Sequence, residues 1–278
     1  MQLILAPMEG VVDHLMRDLL TRIGGFDLCV TEFVRVTDQL LPRRVFTRLC
    51  PELLNQGKTP AGTPVRIQLL GQDPHWLAEN AVRAVELGSP GVDLNFGCPA
   101  KTVNKSRGGA VLLKETETLY QIVHAVRQAV PDSVPVTAKI RLGFDDTSLT
   151  LDNAAAIASA GASALTVHAR TKTDGYRPPA YWPWIATIRQ HITIPVIANG
   201  EIWTAADAQL CQQQSDCSDL MLGRGALAQP NLANCIKYQQ TPMPWANMLQ
   251  LLIDYSGLEL SGDKGQYYPN RLKQWFSY

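Results

Sequence analysis

Four side chains in this sequence carry chemistry that a fold would have to arrange: the thiol of Cys98, the amine of Lys139, the imidazole of His168 and the guanidinium of Arg224. Cys98 lies in "DLNFGCPAKTVNKSRGGAVLL", residues 93–113, which begins like a buried strand and ends like a helix. A free cysteine is often a small apolar filler. One placed past a strand end, between Gly97 and Pro99, is positioned as functional loop residues are. The other five cysteines, at 29, 50, 211, 217 and 235, read as fillers, and no C-x-x-C pair exists to support a zinc ribbon or a thioredoxin-like site. Lys139 stands inside the apolar run "VTAKIRL", where a charge needs a partner. A Schiff-base lysine, a contact to an anionic cofactor and a core ion pair all satisfy that need. His168 is either a ligand contact or a hydrogen-bonded core residue. "IANGEI" and "MLGRGAL" each end in a glycine turn. Gly200, Gly223 and Gly225 would let a phosphate approach the backbone, and Arg224 would add a charge-assisted contact. Tight turns alone are the alternative.

The elements that must carry these residues follow from periodicity. Eight short apolar runs recur: "LILAPM", "DLCVTE", "VRIQLLG", "GVDLNFG", "VTAKIRL", "ALTVHAR", "PVIANG" and "DLMLGRG". Continuous runs of this kind suit parallel strands buried on both faces. Between most of them lie helix-period segments such as "HWLAENAVRAVELG", "TETLYQIVHAVRQAV" and "LDNAAAIASAGA". Eight alternations of strand and helix predict an α/β fold, a (β/α)8 TIM barrel, over residues 1–241. No run carries G-x-G-x-x-G into a helix, so a Rossmann dinucleotide site is not expected. Barrel sites lie at the C-terminal ends of the strands. Here the runs close on Met8 and Glu9, Glu32, Gln68, Asn95, Lys139 with Arg141, His168 with Arg170, Asn199, and Gly223 with Arg224. Polar atoms gathered there need partners, which points to a large polar ligand. Residues 242–278 are expected to form a small all-helical C-terminal domain, incomplete in this chain, with Met248, Leu249, Leu252 and Tyr255 on one helix face.

Composition limits the alternatives. A chain of 278 residues, 46% hydrophobic, can bury one large core. Lys plus Arg equal Asp plus Glu at 25 each, which argues against coating nucleic acid by charge alone. No apolar run nears the roughly 18 residues of a membrane span, and no cleavable leader is evident. Together with the unpaired cysteines this predicts a reduced, cytoplasmic protein, monomeric, without a metal or a membrane partner.

The ordered set "LAPMEG", "DLNFGCPAKTVNKSRGGAVLL", "KIRLG", "VHARTK", "IANGEI" and "MLGRGAL" resembles the flavin-dependent tRNA-dihydrouridine synthases over essentially the whole barrel. "TEFVRV" and "CPELLNQGKTPAGTPVRIQLLG" are most similar to the bacterial subfamily acting on uridine 16 of the tRNA D-loop. The resemblance implies bound FMN, transient NADPH as reductant, and tRNA as partner. It implies that Pro7, Met8 and Glu9 flank the flavin and that Gln68 and Lys139 contact its ring system. His168, Asn199, Gly200, Glu201, Gly223 and Arg224 would line the ribityl-phosphate side. Asn95 would orient the uracil, and Cys98 would be the catalytic acid. Ala169 stands where a glycine is common and Arg107 where a small residue is expected.

That chemistry requires a hydride at carbon 6 of uracil and a proton at carbon 5. A thiol can supply the proton if it stays protonated near neutral pH. Lys101, Lys105 and Arg107 would work against this if they pointed inward, so they are expected to point outward, toward phosphate. Arg35, Tyr176, Arg177, Arg271 and Lys273 are the expected RNA contacts, and Arg43, Arg44 and Arg48 form a further basic cluster that could equally be a solvated face. The rival readings are an FMN barrel acting on a free pyrimidine, a phosphosugar isomerase and a non-catalytic RNA-binding module.

Overall fold

The computed structural model describes residues 1–261 and 265–278. Eight parallel strands close into a barrel in chain order: β1 (Leu3–Leu5), β2 (Leu28–Arg35), β3 (Val65–Leu70), β4 (Val92–Phe96), β5 (Val136–Arg141), β6 (Ala164–His168), β7 (Val196–Asn199) and β8 (Leu220–Leu222). Each predicted apolar run contains one of them, except that β2 starts in its run at residues 27–32 and continues past it to Arg35. The β-pleat sorts each strand into two sets of side chains. Val92, Leu94 and Phe96 of β4, Val136, Ala138 and Ile140 of β5, and Leu165 and Val167 of β6 face the surrounding helices and join the main apolar core. The alternate set faces the barrel axis. There a small apolar cluster of Ile4, Ala6, Val30, Ile197 and Met221 is contributed by β1, β2, β7 and β8. The other strands place buried polar residues inside, among them Gln68, Asp93, Thr137 and Thr166. The barrel interior is thus apolar on one side and polar on the other.

The helices are held by the signals expected of them. Helix Pro74–Glu86 starts with Asp73, whose carboxylate accepts from Trp76 N at 3.0 Å, and with proline in its first turn. It buries Leu77, Ala81 and Ala84 at helical spacing, and Gly88 follows its end at φ 101°. Helix Ala205–Ser215 opens with a capping box between Thr204 and Asp207. Among the described residues no helix is long and apolar enough to cross a membrane.

Two expectations about the C-terminal helices are corrected. Helix Trp245–Ser261 buries Leu252 and Tyr255 and packs Met248 against the core, but Leu249 is 44% exposed. At 100° per residue, Leu249 turns well away from the face shared by the other three. Arg271, in helix Tyr268–Trp275, is not free for RNA. Its guanidinium lies 2.8 Å from Asp13 and 3.1 Å from Glu259, and it donates to the carbonyls of Gly10 and Val11. Asp13 is also the N-cap of helix His14–Ile23, accepting from Met16 N at 3.1 Å. An arginine with this many internal acceptors is a clamp between the last helix and the loop after β1. Trp275 completes the join by stacking edge-on against Tyr255 at 5.1 Å and donating from Nε1 to Leu227 O at 3.0 Å.

Replacing Arg271 with Met should cost about 3 kcal/mol, because Asp13 and Glu259 are left without their cation. Limited proteolysis should then cut within 245–278 while the barrel remains protected; unchanged resistance there would refute the clamp.

Candidate active site

At the C-terminal ends of the strands the barrel opens into a cavity of about 570 Å³. Its wall includes Pro7, Met8 and Glu9 from the loop after β1, Gln68 from β3, Asn95 from β4 and Lys139 from β5. His168 of β6, Asn199 of β7 and the turns carrying Gly200, Glu201, Gly223 and Arg224 complete it, with Cys98 and Tyr176 on loops above. All these predicted site residues are brought together. Arg35 is exposed and donates to Ser106 Oγ, and Lys273 is exposed; neither lines the cavity. Arg271 is remote in function, as described above.

The Cys98 loop is fixed by its backbone. Asn95 Oδ1 accepts from Gly97 N at 3.0 Å and Cys98 N at 2.9 Å. Cys98 O in turn accepts from Asn104 Nδ2 at 3.0 Å and Ala110 N at 3.1 Å. Gly109, at φ 67°, passes so close that a Cβ there would lie 2.8 Å from Cys98 O. A side chain would displace the segment that carries the thiol. Burial pushes the Cys98 thiol above its ordinary value, reinforced by Glu9, while the Ala100 N–H, Arg141 and Lys139 pull it down. The net direction keeps the thiol protonated at neutral pH. Lys101, Lys105 and Arg107 are exposed, and Arg107 pairs with Glu115 at 2.8 Å. Arg107 holds φ 56°, a conformation strained for a non-glycine residue, and the ion pair helps to hold it.

The cavity floor is strongly cationic. Lys139 Nζ donates to Asn199 Oδ1 at 3.1 Å, and Asn199 Nδ2 donates to Met221 O at 2.8 Å. Burial, with Arg141 nearby, pushes the Lys139 amine down to about 8. Burial, followed by Arg141 and Lys139, holds His168 well below its ordinary value, so its ring is neutral. Gly200 sits at φ 116°, where a Cβ would come 2.8 Å from His168 Cδ2, so only glycine fits this turn without displacing the imidazole. Arg141 is braced by the carbonyls of Gly97, Thr171 and Gly175, at 2.9, 3.0 and 2.9 Å. Arg224 lies 4.9 Å from the ring centres of both Tyr176 and Trp203. Glu201 is less available than its place in the wall suggests. Its carboxylate is paired with the fully buried Arg170, accepts from Trp203 Nε1 at 2.9 Å, and lies 3.6 Å from Arg224.

Trp203 and Tyr278 also line the cavity and were not anticipated. Trp203 directly follows "IANGEI", residues 197–202, so it could have been suspected. Tyr278 is brought in only by the docking of the last helix, which no local pattern encodes.

A parallel (β/α)8 barrel with a polar, cation-rich cavity at the strand ends, backed by glycine turns on its last two strands, defines the class. It is a barrel protein with one large polar cavity at the C-terminal ends of its strands. Residues 4–254 match the dihydrouridine synthase (Dus) family, and the chain belongs to that family. It is 62% identical over 278 residues to the tRNA-dihydrouridine(16) synthase of Shewanella oneidensis, covering all of this chain and 88% of that one. The proteins of the same description from Vibrio cholerae and Escherichia coli K12 are 58% and 57% identical, with all of this chain and 86% and 89% of theirs covered. Among solved structures, a variant of NCR from Zymomonas mobilis superposes with TM-score 0.58 at 14% identity, over 87% of this chain and 88% of that one. Histamine dehydrogenase from Rhizobium sp. 4-9 gives 0.62 at 14% identity, over 86% and 46%. At this identity the two structures confirm the fold.

The electrostatics predict the pH behaviour of Cys98. Because burial raises its pKa, the rate of iodoacetamide alkylation should climb with pH through a midpoint above that of a free thiol. Lys139→Met removes a cation that favours the thiolate and should move the midpoint further up; Glu9→Gln should move it down. A midpoint below neutral would overturn the protonated-thiol assignment.

Proposed function

We propose that this protein reduces the carbon 5–carbon 6 double bond of a uridine in the tRNA D-loop, at position 16, to 5,6-dihydrouridine. The single observation that carries the mechanism is a thiol kept protonated by burial, on a pinned loop at the mouth of a cation-rich cavity. The relatives described as tRNA-dihydrouridine(16) synthases, aligned over the whole chain, support the substrate and the position.

The residues present fit FMN. The glycine turns after β7 and β8 line the cavity beside Arg224, where backbone and guanidinium could meet a phosphate, and Lys139 and Arg141 place positive charge where a flavin ring and its substrate would need it. Bound there, FMN would supply hydride-transfer chemistry at carbon 6, with NADPH as the reductant. The chain's own part is to position and to protonate. Pro7, Met8 and Gln68 would hold the ring system, while neutral His168, Asn199 and the Gly200 turn would hold the ribityl-phosphate end. Glu201 contributes indirectly, by fixing Arg170 and Trp203. Asn95 orients the uracil, and Cys98 delivers its proton to carbon 5 as negative charge builds on the adjoining carbonyl side.

A target base must leave the folded tRNA to enter the cavity. Tyr176, 53% exposed at the rim, offers a stacking surface, and Arg35, which also donates to Ser106, and Lys273 are exposed and could meet phosphate. The helices of 242–278 act as the tRNA-gripping unit on the barrel of 1–241, with Arg271 holding them in place. The protein works as a monomer in the cytoplasm.

Unmodified tRNA incubated with the protein, FMN and NADPH should gain two daltons at one D-loop uridine, resolved by mass spectrometry of nuclease fragments. Cys98→Ala should lower that gain by at least about a hundredfold, the low end of what a positioned acid contributes. Reduction of free uridine in place of tRNA would favour the free-pyrimidine reading, and no gain on any unmodified tRNA would refute the proposal.

A further inference from the structure

Gln68, Asp93 and Thr137 are neighbours across β3, β4 and β5, in register Gln68 opposite Asp93 and Asp93 opposite Thr137. All three are buried, as is Asn95 two residues along β4. A run of hydrogen bonds crosses them in one direction. Gly97 N and Cys98 N donate to Asn95 Oδ1, Asn95 Nδ2 donates to Gln68 Oε1 at 2.7 Å, and Gln68 Nε2 donates to Asp93 Oδ2 at 2.7 Å. The other carboxylate oxygen of Asp93 accepts from Thr137 Oγ1 at 2.5 Å, and that hydroxyl accepts from Arg66 Nη1 at 3.1 Å.

The direction of this run is forced by its ends. A backbone N–H can only donate, so Asn95 must turn its oxygen toward the Cys98 loop. Its amide nitrogen must then donate, so Gln68 must turn its oxygen toward Asn95. Gln68 Nε2 is left needing an acceptor, and Asp93 Oδ2 supplies it. Reversing either amide would set donor against donor or acceptor against acceptor among buried side chains.

We infer that Asp93 is a positioning residue for Cys98: its carboxylate fixes the amide orientations of Gln68 and Asn95, and through them the backbone that carries the thiol. The inference rests on the proposed role of Cys98 as proton donor. Asp93 itself lies within the barrel and does not line the cavity. It also determines what Asn95 presents to a ligand. Both lone pairs of Asn95 Oδ1 are taken by Gly97 and Cys98, which leaves one N–H free.

The test follows Cys98 by peptide mass spectrometry as iodoacetamide alkylates the cofactor-free protein; the other five cysteines are buried. Asp93→Leu removes the terminal acceptor, and Gln68→Glu sets a second carboxylate against Asp93. Each should raise the alkylation rate about tenfold, since the loop loses the anchor that orders it. Adding Asp93→Asn to Gln68→Glu restores donor to acceptor at every step and should bring the rate back within about twofold of the parent. Rates in the single variants equal to the parent's, or a double variant no better than Gln68→Glu, would overturn the inference. If a single variant does not fold, recovery of a folded double variant with the parent rate supports it, and failure of that recovery refutes it. Product formation by Cys98→Ala is measured separately: if that variant still makes dihydrouridine, the proton-donor role fails while the alkylation series stands.

Discussion

A closed parallel barrel forces every second residue of every strand toward its axis, and the site depends on that constraint. β3 to β6 use those inward positions for residues that cannot be left without partners. Gln68, Asp93, Thr137 and Arg66 bond to one another, which ties the amide, carboxylate and hydroxyl among them to one orientation, while Arg66 Nε finds no hydrogen-bond partner among the described residues. What emerges at the strand ends is therefore set from below. Asn95 holds the Cys98 loop, Asn199 holds Lys139, and both amides are themselves fixed by partners deeper in the barrel or on the next strand.

Electrostatics and sterics act together above that layer. Several cations share the cavity floor, and their mutual repulsion and burial keep Lys139 and His168 less charged than they would be in water. The same burial keeps Cys98 a thiol despite those cations. Desolvation thus prevails over nearby positive charge at the sulfur, which is the condition for a proton donor and the opposite of the condition for a thiolate nucleophile. The glycines at 109 and 200 are required by close approach, to the Cys98 carbonyl in one case and to the His168 ring in the other.

The C-terminal helices are tied to the cavity through Arg271. It bonds the carbonyls of Gly10 and Val11, directly after the Pro7–Glu9 segment of the wall, while Glu32 accepts from Gly10 N on the other side. The loop that would flank a flavin is therefore held between the barrel and the last helix. Tyr278 reaches the same cavity from that helix end. Docking of the helices and shape of the site are one structural problem.

The sequence by itself determined the barrel and most of its wall. Period-2 and period-3.6 patterns are local, and every strand lies in, or for β2 starts in, the apolar run that announced it. The residues closing those runs converge because strand ends in a barrel share one rim, a rule that needs no coordinates. Cys98, Lys139, His168 and Arg224 were legible on that basis. Tertiary structure alone decided how each is used. Arg271 reads as a surface cation, yet Asp13, far away in the chain, makes it a clamp. Glu201 reads as a ligand contact until buried Arg170 engages it. Asp93 is one polar letter in an apolar run, and its role exists only because β3 and β5 set Gln68 and Thr137 beside it. Hydrogen-bond partners and burial are properties of residues distant in sequence, and no local spacing specifies them.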